Sequence, residues 1–219
     1  MRAGEANWDL VEEVVPLDGS ELRVMRPRDS EELLDEEAFE HEEFLPYWAE
    51  LWPSGLALAR HVSPLPLRDR RVLELGCGLA LPSLAAALGG ARVLATDWSP
   101  HAVALAAVNA RRNGIALETA VVSWARPDAL VSRAPWELVL AADVLYERRN
   151  LAALLELLPR LVGDTGEVLL ADPGRPPAPE FLRRADETGW RLDDVASEEP
   201  RITVRSLRPP AFPPVSAAP

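Results

Sequence analysis

The sequence predicts an α/β fold: a mostly parallel sheet of seven strands, an antiparallel last strand, and helices on both faces. Three observations predict it. Short apolar runs that end in turn residues alternate along the chain with segments of helical length. One run, Val72-Leu73-Glu74-Leu75, stops at Gly76-Cys77-Gly78 and gives way at Pro82 to an alanine-rich stretch, the order of a strand, a glycine turn and a helix N-terminus. The next apolar run, Ala91 to Thr96, ends in Asp97, about 20 residues past the glycines, where nucleotide folds hold ribose hydroxyls.

The glycine turn narrows the ligand. Gly76 and Gly78 carry no Cβ, so the backbone can turn tightly and lie against a bound molecule. A dinucleotide fingerprint, G-x-G-x-x-G, requires glycine at position 81, which is Leu81. An acid, Glu74, stands two residues before the first glycine instead. The turn is a nucleotide-sized cradle, but not one patterned for a pyrophosphate.

Composition sets the class. At 219 residues and 48% apolar content the chain can bury one substantial core. No apolar run reaches the roughly 18 residues of a membrane span. Residues Met1 to Glu5 carry neither an apolar signal segment nor an arginine-rich leader. The single cysteine rules out an internal disulfide and fits a reducing compartment, so the expected location is the cytoplasm. A formal charge of −12 disfavours general nucleic-acid binding and favours a basic partner. All 23 basic residues are arginine; the chain has no lysine.

Taken in order, Trp8–Val15 and Glu21–Pro27 flank Asp18-Gly19-Ser20 and predict a β-hairpin. Asp29–Glu43 reads as a strongly acidic helix, capped by Asp29 or Ser30. The aromatic stretch Pro46–Gly55 leads into a helix over Leu56–His61. The glycine turn opens a helix that ends at Gly89-Gly90, and Ser99-Pro100 caps one that runs to Arg112. Strands are expected at Thr119–Ser123, Trp136–Ala142, Gly166–Ala171, Trp190–Val195 and Ile202–Leu207, the last two antiparallel. Helices are expected at Asn150–Leu158 and Pro179–Thr188. Residues 1–45 form an N-terminal hairpin and helix, 46–207 the main domain, and 208–219 a Pro/Ala-rich disordered tail. His41, His61 and His101 have no ligand spacing, so no metal is expected. Cys77 reads as a small filler of the turn rather than a nucleophile.

Glu74-x-Gly76-x-Gly78, Asp97, Trp124 and Asp143-x-x-Tyr146, with Trp52 before them, stand in the order and spacing of one family. The chain resembles the class I S-adenosylmethionine (SAM) methyltransferases, and among them methyltransferase family 16, dominated by protein lysine methyltransferases. The resemblance implies the Rossmann-like sheet of that class. It implies a SAM site of Trp52, Glu74, Gly76, Cys77, Gly78, Asp97, Trp98, Ser123, Trp124 and Ala142, and a catalytic pair of Asp143 and Tyr146. Asn109 matches an asparagine common in the family. Where the family carries an acid before the tryptophan, this chain has Ser123, which leaves the adenine amino group without that partner. Pro46–Ala49, Trp52–Leu58 and Asp172-Pro-Gly-Arg-Pro176 resemble the branch that methylates the β-subunit of electron transfer flavoprotein. The implied partner is a protein with a basic, lysine-bearing surface, that β-subunit being the candidate, with neither nucleic acid nor membrane. Two alternatives stand beside it: a small-molecule N-methyltransferase of the nicotinamide type, which would share every cofactor residue, and a non-catalytic Rossmann-like binding module, which would keep Asp97 but need neither Asp143 nor Tyr146.

Overall fold

The computed structural model describes residues 8–30, 33, 46–195, 197 and 199–210. Strands β1 (Leu10–Leu17) and β2 (Ser20–Pro27) open the chain as an antiparallel hairpin in which Leu17 pairs with Ser20. The turn is therefore the two residues Asp18-Gly19, and Gly19 closes it at φ +69°.

The main sheet comprises β3 (Arg71–Leu75), β4 (Arg92–Asp97), β5 (Glu118–Val121), β6 (Trp136–Ala142), β7 (Val162–Asp172), β8 (Arg191–Val195) and β9 (Thr203–Arg208). Their spatial order is β5-β4-β3-β6-β7-β9-β8. β3 pairs in parallel with both β4 and β6, so the winding reverses beside β3, where α/β sheets open a crevice at their carboxyl edge. β9 runs antiparallel between β7 and β8, as the final pair of the sequence predicts. β8, the edge, carries Arg191, Asp193 and Asp194, charges that discourage pairing with another chain.

A 3₁₀ turn, Tyr47–Ala49, precedes helices α1 (Pro53–Val62), α2 (Leu81–Leu88), α3 (Pro100–Arg112), α4 (Asp128–Val131), α5 (Arg148–Leu161) and α6 (Ala178–Glu187). Prolines sit in the first turn of α1, α2, α3 and α6, where a missing N–H costs no bond. Alternate strand residues serve two layers. Val72, Leu138, Leu140 and Leu169 pack with α1, α2, α3 and the hairpin. Leu73, Leu75, Val139 and Leu170 pack with α4, α5 and α6. No helix among the described residues is long and apolar enough to cross a membrane.

Several expectations change. α5 runs on through Pro159 to Leu161, because a proline so close to the end disturbs only the last turn. α4 was too short to leave a helical period and is absent from the sequence reading. Arg208, expected to open a disordered tail, is instead the last residue of β9 and pairs with Arg191. The acidic helix over Asp29–Glu43 falls mostly outside the described residues, as do residues 211–219.

The hairpin is held to α3 by two asparagines one turn apart. Asn109 Oδ1 accepts from the Met25 amide at 2.7 Å, and its Nδ2 donates to the carbonyls of Met25 at 3.2 Å and Leu79 at 3.3 Å. Asn113 makes the same pair with Arg23, at 2.8 Å in each direction. Side-chain amides thus stand in for a third strand along the free edge of β2. Asn109 is fully buried, whereas the bonds of Asn113 are exposed. Asn109→Ala should therefore lower unfolding free energy by about 2–3 kcal/mol, from buried backbone groups left unpaired. Asn113→Ala should cost less than about 1 kcal/mol, because water replaces its bonds. Urea midpoints measure both, and equal losses would contradict this account.

Candidate active site

The carboxyl ends of β3, β4, β5 and β6 open into one cavity of about 800 Å³. Its wall includes each of the twelve residues singled out in the sequence, from Trp52 to Tyr146. Their burial and partners assign them different tasks.

The turn after β3 is held open by backbone geometry. Gly76 and Gly78 take φ +65° and +48°, and a Cβ at Gly78 would lie 3.1 Å from the Trp48 carbonyl oxygen. Only glycine fits both demands. The Gly78 amide donates to Asp97 Oδ2 at 2.9 Å, and the Ser99 amide to Oδ1 at 2.9 Å. Asp97 therefore clasps the glycine turn to the start of α3, a structural reason for a carboxylate at that strand end that sequence reasoning missed. A carboxylate has roughly four lone-pair sites, so acceptor capacity remains on it.

Glu74 points into the α2 layer, where its Oε2 accepts from the Ser83 amide in the first turn of that helix at 3.0 Å. Complete burial pushes its carboxyl up to about 8, the Ser83 bonds pulling back and the nearby Asp97 charge adding to the rise. Burial also raises Asp97, against the downward pull of the Ser99, Gly78 and Trp98 amides. The Cys77 thiol is driven well above its usual range by burial and by both carboxylates, so it stays neutral and fills space, as expected.

The aromatic lead-in divides. Trp48 is buried against Trp8 at 5.5 Å between ring centroids and His101 at 6.0 Å, a core role. Trp52 donates from Nε1 to the Tyr47 carbonyl at 2.6 Å, and the Tyr47 ring lies 5.6 Å from Tyr146. Trp98 and Tyr146 are partly exposed at the cavity wall. Ser123 Oγ accepts from the Ala125 amide at 3.3 Å, which turns the chain after β5 and leaves Trp124 on the wall.

Asp143 departs from expectation. It follows Ala142 at φ +56°, with its amide bonded to the Ala171 carbonyl at 2.9 Å. Its Oδ1 accepts from Arg175 Nε at 2.7 Å, while Oδ2 lies 3.5 Å from Ser54 Oγ. The carboxylate of the expected catalytic pair thus has a cationic partner within the chain. Arg175 comes from the Asp172-Pro-Gly-Arg segment, whose fold is set locally. Asp172 Oδ1 accepts from the amides of Gly174 at 2.7 Å and Arg175 at 2.8 Å, and Gly174 takes φ +88°. The guanidinium also lies 5.5 Å from the Trp52 ring centroid. The turn was legible in the sequence; the destination of its arginine was not. No His, Cys, Asp and Glu grouping among the described residues could hold a metal ion.

The raised carboxyl of Glu74 has a sign that can be checked. Between its ordinary 4.5 and about 8 the folded chain holds a proton that the unfolded chain has released. Its contribution to stability therefore falls as pH rises through that window and is level above it. Glu74→Gln keeps an acceptor for Ser83 and removes the titration, so its stability relative to wild type should climb between pH 5 and 8, by on the order of 3–5 kcal/mol. Urea melts at a series of pH values test this, and parallel curves would refute it.

Comparison with known proteins bears on what the cavity is for. A family model described as lysine methyltransferase matches residues 45–187. The electron transfer flavoprotein β-subunit lysine methyltransferase of Xenopus laevis is 36% identical over 137 residues, 59% of this chain and 53% of that protein. Protein N-lysine methyltransferase METTL21A of Danio rerio is 30% identical over 130 residues, 56% of this chain and 59% of that protein. The chain spans about half the length of the curated relatives it matches. Among solved structures, the ribosomal protein L11 methylase of Lactobacillus delbrueckii superposes with a TM-score of 0.55 at 22% identity, covering 72% of this chain and 77% of that one. The 16S rRNA methyltransferase RsmC of T. thermophilus, in complex with AdoMet and guanosine, gives 0.64 at 17% identity, covering 91% and 50%. These structural likenesses establish the Rossmann-like methyltransferase fold. With the family model matching well over half of its length, the chain belongs to the lysine methyltransferase family.

Proposed function

We propose that this chain is a SAM-dependent N-methyltransferase whose acceptor is a lysine side chain of a protein. The observation that carries the reading is the placement of Asp97, and of Asp143 with Tyr146, at strand ends around the cavity that the glycine turn lines. The family supplies the reaction class.

The residues present fit SAM by their chemistry. Asp97 borders the glycine turn, where a carboxylate repels a pyrophosphate and accepts from hydroxyls or an ammonium, and the neutral Glu74 carboxyl lines the same wall. The bare backbone at Gly78 leaves the wall flat, and 800 Å³ lies within the range of ligand cavities. In this reading Asp97 takes the ribose hydroxyls on its spare lone pairs, Trp98, Ser123 and Trp124 border the adenine, and Trp52, Cys77 and Ala142 complete the wall. Bound SAM supplies a sulfonium methyl, open to in-line attack by an uncharged amine.

A lysine amine, with a pKa of about 10.4 in water, must arrive without its proton, and a desolvating channel favours that form. Asp143 orients the amine through a hydrogen bond to Oδ2, and Tyr146 lines the channel and faces developing positive charge. Burial raises the Tyr146 phenol, so it stays protonated and contributes no competing negative charge. Positioning supplies most of the rate, with no covalent enzyme intermediate. The first candidate acceptor is the electron transfer flavoprotein β-subunit, which the names of several relatives specify. The charge of −12 draws a basic protein surface.

Asp97→Ala should weaken SAM binding by about 1.5–3 kcal/mol, the scale of hydrogen bonds involving a charged group. Calorimetry reads it, and a chain that binds NADH but not SAM would end this proposal. Label from tritiated SAM should appear on recombinant electron transfer flavoprotein β-subunit and vanish when the labelled lysines become arginine. Asp143→Asn should cut that transfer by about 100-fold, while SAM affinity moves by less than about tenfold. The chain has no lysine, so side-chain self-methylation on lysine adds no background. Label on nicotinamide and on no protein would favour the small-molecule alternative.

A further inference from the structure

We propose that Arg175 is the standing counter-ion of Asp143: it cancels the carboxylate's charge at the transfer end of the cavity and fixes which oxygen meets the acceptor. The inference rests on the SAM reading of that cavity and assigns a positioning role to a residue outside the expected catalytic pair.

Three observations carry it. The Asp143 side chain is 7% exposed, so a net charge on it is screened poorly by water. Its Oδ1 is committed to Arg175 Nε at 2.7 Å, whereas Oδ2 has, among the described residues, the hydroxyl of Ser54 at 3.5 Å. The guanidinium is not a loose surface charge. The Arg175 and Gly174 amides are fixed on Asp172 Oδ1, and the guanidinium Cζ lies 5.5 Å from the Trp52 ring centroid.

The consequence is electrostatic. An unpaired buried carboxylate beside an amine stabilises the ammonium, which has no lone pair to attack with. The same carboxylate would also hold a sulfonium more tightly than a thioether. With Arg175 in place the pair is close to neutral overall, so an uncharged amine can accept orientation from Oδ2 without being locked as a cation. A guanidinium suits the task because it stays protonated at every working pH.

Isothermal calorimetry with SAM, which carries a sulfonium, and with S-adenosylhomocysteine, whose sulfur is neutral, tests this without turnover or an acceptor. Arg175→Gln keeps a polar side chain and removes the charge. The preference for SAM over S-adenosylhomocysteine should then rise by about five- to tenfold. Arg175→Lys should return the preference to within about twofold of wild type, and adding Asp143→Asn to Arg175→Gln should abolish the rise. Should Arg175→Gln fail to fold, Asp143→Asn alone leaves Arg175 uncompensated and should lower the preference by a similar factor. A folded Arg175→Gln chain with an unchanged preference overturns the counter-ion role while leaving SAM binding intact. A wild-type chain that binds neither compound overturns the proposed function, and this inference with it.

Discussion

The hydrogen bonds that Asp97 accepts from the Gly78 and Ser99 amides organise this molecule. One carboxylate ends β4, closes the turn after β3 and starts α3. A parallel sheet brings those three chain segments side by side at its carboxyl edge, but does not by itself fix the path of the turn. The clasp does, and Asn109 reinforces it from the other side through the Leu79 carbonyl. The N-terminal hairpin, tied to the same asparagine, is therefore coupled to the shape of the cavity rather than appended to the domain. Val15, Leu22 and Val24 of that hairpin share a core with Val72 and Leu84.

Charge in the cavity is handled by unlike means. Glu74 is kept mostly protonated below about pH 8 by burial. Asp97 is supported by backbone amides, which return part of the solvation that burial removes. Asp143 is given an arginine instead. Near neutral pH the site is thus less anionic than its count of carboxylates suggests, and the chain's net charge of −12 resides largely elsewhere. Burial raises Asp172 too, with the Arg175 and Gly174 amides opposing it. That group stiffens the segment that presents the arginine.

How much of this was legible follows from what kind of interaction each feature uses. The continuous apolar runs of β3 and β6 and the glycines of the turn are local, so the buried strands and the ligand-facing edge could be read from the chain. Asp97 was legible as a site residue but its clasp was not, because its donors are backbone amides that carry no residue identity. Asn109 was visible only as a family match, since its partner Met25 is 84 positions away and nothing in Met25 marks its free edge. Arg175 was hidden by composition: in a chain whose every basic residue is arginine, one more after a Pro-Gly turn does not stand out.

The lysine-free composition and the arginine at the transfer end lead to one physical consequence. A cation beside a methyl donor is safe only if it never presents a lone pair. A lysine at position 175 would be held as an ammonium by Asp143, but it would remain an amine near the proposed methyl donor and would compete with the acceptor whenever it gave up its proton. The guanidinium is delocalised, stays protonated, and in this structure turns its Nε toward Asp143. The site can therefore keep a permanent positive charge within hydrogen-bonding distance of Asp143, the residue proposed to orient the nucleophile. On the proposed reading the requirement at position 175 is chemical, and it is separate from the composition that leaves the chain without lysine.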